Sequence, residues 1–555
     1  MNSSVSPKEG VPKEGAKGSD VYDGTGDKRV DLSVRMVRGA SGTELSILIL
    51  EVARVHLVDA FVMAFHSRNV RGGKGERDIF ADLFKALVAA QEPLATHLLD
   101  LIPHYGSWRD LLSLSNSCPK NSPYDRLTDS IYGLIVKQLQ EDAVTPVGTS
   151  ISLAGKWAPR EHSANDEHAK ALATLLFPGK PDARKQYRQL VSSLNKRLDT
   201  IETHMCGGSW STIKPSTVPG RAGKLYAKAL LNESRLEKGE LRFPDSEDRM
   251  TCREHFKEHF AAAAAGKATV HGSKTVFPHE VVKKAKKESL TEPEKDQLRA
   301  VWSSMIADLK AGGGLDKAVI MADFSGSMQS AGSQGDTPYW VSMALGILGS
   351  QLSGRKFMTF DSKPKWHQLP SADLFECLDS IGRHVSQGTS TDFQAACELL
   401  LSDLKKERCK PGDEPKFLLV LTDMNWDQAC ASNGVSGYTG SSYRHHVKTA
   451  PWQTHLDMIK ESFRRAGEDM HGAGQALTPP QIVIWNLAAN PSDHHATADT
   501  PGVSLLSGWS PTQFKILMKE GPRQLTPLET LRLELDDPQY DLIRERIAAF
   551  LKKAE

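Results

Sequence analysis

The chain has 555 residues, with 69 basic and 68 acidic side chains and a formal net charge of +1. This length predicts two to four domains, and the balanced charge gives no chain-wide signal for a polyanion partner. The seven cysteines form no Cys-x-x-Cys motif, which favours reduced thiols in a cytoplasmic or nuclear protein. No apolar run reaches the roughly 18 residues of a membrane span, and we expect no membrane association.

The first half of the chain shows two kinds of sequence. Residues 1–28 are rich in Gly, Ser, Lys and Asp, which predicts a disordered tail without a secretory signal. Residues 29–312 show helical periodicity, for example at Ile79, Leu83 and Leu87. Many helices joined by short loops predict an all-α helical-repeat domain with a curved binding surface. We find no clean repeat period.

A basic, glycine-rich turn precedes one predicted helix of this half. It carries Arg68, Arg71, Lys74 and Arg77 around three glycines. Free amide groups at a helix start together with cationic side chains predict an anion site. The alternative is an ordinary turn between helices with solvated charges. The spacing is not that of a phosphate-binding P-loop.

A second basic stretch, residues 184–228, holds nine basic residues against two acidic ones. Tyr187, Trp210 and Tyr226 are interleaved with them. Basic groups that follow a nucleic-acid backbone, with aromatic rings to stack bases, are typical of single-stranded RNA binding. The alternative is a solvated helix face. The RNA-binding candidates here are Arg184, Lys185, Arg188, Lys196, Arg197, Arg221 and Lys224.

The second half opens with an apolar run that ends at Asp323, followed by Ser325 and Ser327. The run predicts a buried parallel strand, and ligands bind at the carboxyl ends of such strands. One carboxylate and two hydroxyl groups at i, i+2 and i+4 make an all-oxygen donor set, which suits Mg²⁺ better than Zn²⁺. The alternative is a simple turn or a helix cap.

This Asp-x-Ser-x-Ser pattern resembles the metal-ion-dependent adhesion site of von Willebrand factor A (vWA) domains. The resemblance implies a further ligand at Thr391, with Thr389 as the alternative, and another at Asp423, which follows a second apolar run. It also implies Mg²⁺ or another divalent cation, and a protein partner that offers an acidic residue to the metal. No nucleophile and base flank the motif, so we predict that the protein is not an enzyme.

The rest of this half fits an α/β domain over residues 313–555. Helical periodicity covers 338–352, and strands are predicted at 356–360, 481–487 and 503–507. Together these indicate a Rossmann-like, mostly parallel sheet of at least five strands. A polar segment near 430–450 is expected to be an inserted loop. The amphipathic segment 540–550 is expected to pack on the sheet as a helix.

Several motifs, taken together, resemble one family of proteins of unknown function that joins a helical half to a vWA-like half. The matching segments are 71–77, 102–111, 156–159, 277–280, 391–394, 423–429 and 499–502. More distantly, the layout is similar to Ro/TROVE proteins. In that group a ring of HEAT-like helical repeats, closed by a vWA domain, binds the ends of small or misfolded RNAs.

Two hypotheses follow. The first is an RNA-binding ribonucleoprotein component with a magnesium-dependent vWA site. The second is a protein-interaction scaffold whose vWA metal captures a partner carboxylate. A metal-dependent hydrolase is disfavoured because Ser325 stands where metal-dependent phosphatases often carry a second carboxylate.

Overall fold

The computed structural model of the protein describes residues 12–14, 20–116, 124–234, 236–237, 239–286, 290–313, 315, 317–329, 335–360, 363–384, 393–424, 452–489, 494–519 and 524–554. The chain divides into two compact units. The sheet unit comprises Met1–Leu48, Phe277–Lys286 and Ile306–Asp536. The helical unit comprises Ile49–Val276, Lys287–Met305 and Asp537–Glu555. No helix within the described ranges is long and apolar enough to cross a membrane.

The N-terminal half is mostly helical, as predicted. Its helices are α1 (Lys28–Arg35), α2 (Gly42–Val55), α3 (Leu57–Arg68), α4 (Arg77–His97), α5 (Ile102–Tyr105), α6 (Trp108–Asn116), α7 (Asp125–Val144), α8 (Ala154–Trp157), α9 (Asp166–Leu176), α10 (Ala183–Leu198), α11 (Ile201–Gly207), α12 (Gly220–Leu225), α13 (Ala227–Leu230), α14 (Glu247–Ala264), α15 (Pro278–Ala285) and α16 (Glu292–Lys310). Helix α4 is interrupted at Gln91, close to Pro93, because a proline inside a helix removes a hydrogen bond and clashes with the preceding turn.

The described residues also form eight strands and seven further α-helices. The strands are β1 (Pro12–Glu14), β2 (Asp20–Tyr22), β3 (Ala318–Asp323), β4 (Lys356–Phe360), β5 (Trp366–Gln368), β6 (Phe417–Thr422), β7 (Gln481–Asn486) and β8 (Val503–Ser507). The helices are α17 (Pro338–Ser353), α18 (Leu374–His384), α19 (Phe393–Lys406), α20 (Trp452–His471), α21 (Phe514–Lys519), α22 (Pro527–Leu535) and α23 (Asp541–Ala554).

The main sheet has six strands in the order β5-β4-β3-β6-β7-β8. All neighbours run parallel except the edge strand β5, which is antiparallel to β4. The predicted mostly parallel sheet is therefore present. From β3 the chain moves outward through β4 to β5 and then returns to β6 on the other side of β3. The order thus reverses between β3 and β6, and ligands bind at such a switch point in open α/β sheets.

Burial explains why these strands carry nearly continuous apolar runs. Every residue of β3, β6, β7 and β8 is buried. Helix α17 packs against β3, β4 and β6, whereas α1 and α22 pack against β8. Gly346 and Gly349 let α17 approach β3 closely, since a Cβ at these positions would lie 3.2 Å from Ala322 and 3.1 Å from Ile320. This packing fixes the strand that ends in Asp323.

The N-terminal segment differs from prediction, since part of it is ordered and belongs to the sheet unit. Strands β1 and β2 pair with each other, and the backbone of Tyr22 pairs with that of His494. Helix α1 lies on β8, where Asn486 Nδ2 donates to the carbonyl oxygen of Val34 at 2.9 Å. Within the expected tail of residues 1–28, β1 and β2 thus form strands, and the sheet unit extends to Leu48, past the expected domain boundary at 28/29.

The C-terminal helix also differs from prediction. Helix α23 contacts α3 and α4 and belongs to the helical unit, whereas the sequence predicted that it packs on the sheet. Its anchor is the fully buried Tyr540, whose hydroxyl group lies 2.8 Å from His66 Nδ1 and accepts a bond from Asn69 Nδ2 at 3.2 Å. The apolar face of α23 indicated a packed helix. The surface against which it packs depends on these contacts between residues distant in sequence.

Candidate functional site

The candidate site lies at the switch point of the sheet. Asp323 is the last residue of β3, and Asp423 follows the last residue of β6. Both carboxylates are buried, with 0% and 3% of their surface exposed. The register pairs Ala322 with Leu421, so the carboxyl ends of the two strands meet. Two acidic groups from distant parts of the chain thus reach one edge of the sheet.

Both carboxylate oxygens of Asp323 accept hydrogen bonds. The backbone N–H of Ser325 donates to Oδ1 at 2.8 Å, and the hydroxyl group of Thr422 donates to Oδ2 at 3.2 Å. The hydroxyl oxygens of Ser325 and Ser327 lie 3.0 Å apart. The turn after β3 therefore gathers the three residues of the motif, as their spacing predicts. Their role as ligands remains a prediction.

Two buried carboxylates determine the electrostatics of the site. Burial, followed by repulsion from Asp423, raises the pKa of Asp323 to about 7, against the hydrogen bonds from Ser325 and Thr422. Among the described residues, no group of three or more His, Cys, Asp or Glu side chains is placed so that it could hold a metal ion. The donors at hand are carboxylate and hydroxyl oxygens. Such a set fits a hard cation that keeps several of its own waters, which is the behaviour of Mg²⁺.

Not every predicted ligand can be placed. Thr391, its alternative Thr389 and the insertion near 430–450 lie outside the described residues. The sequence reasoning also missed Thr422, which supplies a hydroxyl group to Asp323. A signal for it existed, because Thr422 is the one hydroxyl-bearing residue of an otherwise apolar strand and directly precedes Asp423.

Sequence reasoning also missed the turn that follows Asp423. Met424 is buried and has a φ angle of +69°. Its N–H donates to the Thr422 hydroxyl oxygen at 3.2 Å, and its carbonyl oxygen lies 2.9 Å from Nε2 of the buried His495. His495 lies 72 residues after Asp423 in the chain, and no local pattern links the two residues.

Two of the four residues of the predicted anion site in the helical unit have buried side chains. Arg68 and Lys74 are buried, and Arg68 Nε donates to the buried Asp110 at 2.7 Å. Arg77 Nε donates to the other carboxylate oxygen of Asp110 at 2.6 Å. The buried carboxylate thus holds both guanidinium groups. Arg71 is exposed, and it donates to the carbonyl oxygen of His104.

The second basic stretch is also partly neutralised. Arg184 pairs with Glu161 and Asp166, and Arg188 pairs with Glu161. Arg197 donates to backbone carbonyl oxygens at the end of α7 and just after it. The exposed basic side chains of this stretch for which no acidic partner is seen among the described residues are Lys185, Lys196, Lys214 and Arg221. Lys224 is half-buried.

The aromatic residues of this stretch do not form an open stacking surface. Tyr187 is buried, and its hydroxyl group donates to the carbonyl oxygen of Pro159. The guanidinium of Arg249 covers the ring of Trp210, 3.6 Å from its centre. Tyr226 packs against the apolar core between α11 and α14. The prediction that these rings stack bases is therefore wrong for Tyr187, because its ring is needed in the core.

Comparisons with known proteins locate two matched regions. Residues 112–315 match "Domain of unknown function (DUF2828)", and residues 317–539 match "Domain of unknown function (DUF7788)". "Uncharacterized protein L728" of Acanthamoeba polyphaga mimivirus is 24% identical over 531 residues, which cover 90% of this chain and 83% of that protein. The crystal structure of the Deinococcus radiodurans Ro (RSR) protein is similar with a TM-score of 0.44 and 14% identity, over 92% of this chain and 100% of that chain. Two regions of the chain thus match models of domains of unknown function, in line with the resemblance that its motifs indicate.

Proposed function

We propose that the sheet unit is a vWA-like binding domain that holds a divalent cation, with Mg²⁺ as the preferred ion. The ligands are Asp323, Ser325, Ser327 and Asp423, with Thr391 as a further predicted ligand. The observation that carries the proposal is the pair of buried carboxylates at the point where strand order reverses. Two buried negative charges repel each other and lack hydration, and a bound cation removes both costs.

The role we propose is binding without catalysis. When bound, the cation supplies positive charge and an open coordination position for a carboxylate of a protein partner. The chain's own residues prepare this position. The Ser325 N–H and the Thr422 hydroxyl group orient the Asp323 carboxylate, and the packing of α17 on β3 holds the strand beneath it. The protein then acts as an interaction scaffold.

The direct test measures Mg²⁺ binding to the purified protein in two ways. Calorimetry records the titration with Mg²⁺, and thermal unfolding records the change in stability. We expect wild-type protein to gain about 2.7 kcal/mol of stability when Mg²⁺ reaches about 100 times its dissociation constant. Asp323→Asn removes this gain, because it removes one of the two charges that attract the cation. Asp413→Asn is the matched control, since it neutralises an exposed carboxylate of the same unit. Absence of a Mg²⁺ effect in the wild type contradicts the proposal.

The partner is tested separately with a displayed peptide library. The library is selected on the protein in Mg²⁺ and eluted with a chelator. We expect Asp or Glu to be enriched in the eluted sequences, and we expect this enrichment to vanish on Asp323→Asn protein. Equal enrichment on both proteins, or no acidic preference, rules out capture of a carboxylate by the cation.

A second candidate function is RNA binding by the helical unit. Its support is a group of exposed basic side chains. Lys185 and Lys196 lie 11 residues apart on α10, and because 11 residues make about three turns, both lie on one face. Arg71 and Arg221 are exposed elsewhere in the same unit. These cations are available to contact phosphates, whereas Arg68 and Lys74 are not.

The measurement is fluorescence anisotropy of a labelled single-stranded RNA over a range of salt concentrations. We expect Lys185→Glu/Lys196→Glu to weaken binding and to reduce its salt dependence. With fewer phosphate contacts, fewer counterions are released from the RNA when the protein binds. Lys170→Glu/Lys180→Glu is the matched control, as it changes the net charge equally at exposed positions of the same unit. Equal losses in both variants would show that only net charge matters.

A further inference from the structure

The turn after β6 has a strained backbone beside the candidate cation site. Met424 has a φ angle of +69°, which lies in the left-handed region that side chains with a Cβ rarely adopt. A residue of this kind is strained and persists only where its surroundings impose the conformation. The residue immediately before it is Asp423. The structure therefore maintains an unfavourable turn next to a predicted ligand.

Two hydrogen bonds impose this conformation. On one side, the N–H of Met424 donates to the Thr422 hydroxyl oxygen at 3.2 Å, and the same hydroxyl group donates to Asp323. On the other side, Nε2 of His495 lies 2.9 Å from the Met424 carbonyl oxygen. A carbonyl oxygen can only accept, so Nε2 carries the hydrogen. His495 is 1% exposed, which leaves it little freedom to move.

We propose that His495 is a positioning residue for the cation site, acting by holding Met424 in its left-handed conformation. This inference rests on the proposed cation-binding function. The φ angle of Met424 sets the orientation of the peptide between residues 423 and 424, so the turn constrains the backbone that carries the Asp423 carboxylate. Without the bond from His495, Met424 relaxes to negative φ. The peptide between residues 423 and 424 then rotates, and both Asp423 and the Thr422 hydroxyl group lose their alignment with Asp323.

The decisive comparison uses His495→Ala alone and together with Met424→Gly, in the full chain. Removing a side chain that orients a metal ligand weakens metal binding by about 10- to 100-fold, and we expect this loss of Mg²⁺ affinity in His495→Ala. Glycine adopts positive φ without strain, so Met424→Gly should restore most of the affinity. A purely structural role for His495 predicts no such rescue. His495→Gln, whose amide group can donate the same bond, should stay close to wild type.

His471→Ala is the matched control. His471 Nε2 also bonds to a backbone carbonyl oxygen, that of Cys409 at 2.8 Å, in the same unit. We expect its Mg²⁺ affinity to equal that of the wild type. Affinity that falls equally in His471→Ala and His495→Ala, or that Met424→Gly does not restore, overturns the positioning role.

A second readout needs no cation. Hydrogen exchange measured by mass spectrometry in excess chelator follows the peptide that covers residues 417–424. We expect faster exchange of this peptide in His495→Ala than in the wild type or in His471→Ala. If wild-type protein binds no Mg²⁺ but this exchange increases, the proposed function fails while the role of His495 in holding the turn stands. If wild-type protein binds Mg²⁺ and neither affinity nor exchange changes in His495→Ala, the positioning inference fails alone.

Discussion

The buried carboxylate of Asp110 offers the sharpest test of how the helical unit is stabilised. Asp110 accepts hydrogen bonds from Arg68 Nε at 2.7 Å, from Arg77 Nε at 2.6 Å and from the backbone N–H of Ser107 at 2.8 Å. The side chains of Asp110 and Arg68 are only 1% and 5% exposed, whereas that of Arg77 is 32% exposed. We predict that Asp110→Ala destabilises this unit strongly, chiefly through Arg68.

The magnitude follows from the charge that the substitution leaves behind. Opposite charges about 4 Å apart attract by about 4 kcal/mol at an effective dielectric constant of about 20. Burial alone raises the pKa of Asp110, but the charges of Arg68 and Arg77 and their hydrogen bonds outweigh it and hold that pKa below its usual value. Arginine cannot become neutral in response, so Arg68 stays charged and buried without its partner. Breaking such a pair costs about 3–5 kcal/mol.

The assay is denaturant unfolding of the full chain, monitored by the far-ultraviolet circular dichroism signal of its helices. Asp100→Ala is the control, because Asp100 pairs with Arg546 at the surface of the same unit and an exposed pair contributes about 1 kcal/mol or less. The double variant Arg68→Met/Asp110→Leu should recover much of the loss, since it removes both charges. A loss below about 1 kcal/mol for Asp110→Ala would refute this reasoning.

Two further predictions concern other polar contacts. Tyr540→Phe leaves His66 and Asn69 without their shared hydroxyl partner and should cost about 1–3 kcal/mol by the same denaturation assay; a cost near zero would show that α23 is held by apolar contacts alone. In the sheet unit, His279 and Lys283 hold the pKa of Asp336 well below its ordinary value. The stability that Asp336 contributes is therefore present above the ordinary Asp pKa and is lost as pH falls through the lower pKa of the folded state. Asp336→Asn should therefore flatten the acid side of a curve of unfolding free energy against pH. Identical curves for the variant and the wild type would contradict the assignment.

The local sequence was sufficient for the elements that carry the candidate site. The apolar runs before Asp323 and Asp423 predict buried strands, and the structure has β3 and β6 there. The spacing of Ser325 and Ser327 predicts that they gather beside Asp323, and they do. Such features are local, because a strand needs only a short apolar run and a turn needs only neighbouring residues. The helical character of the N-terminal half is local in the same sense.

Only the tertiary structure decided which basic side chains are exposed to a ligand and which residues complete the candidate cation site. Arg68 is neutralised by Asp110, 42 residues later, and no pattern near Arg68 indicates this burial. His495 reaches Met424 only because the segment after β7 returns to the end of β6. Contacts between segments that are distant in sequence also place α1 in the sheet unit and α23 in the helical unit. Composition and periodicity determined the elements and their chemistry, whereas burial and pairing depend on contacts between residues distant in sequence.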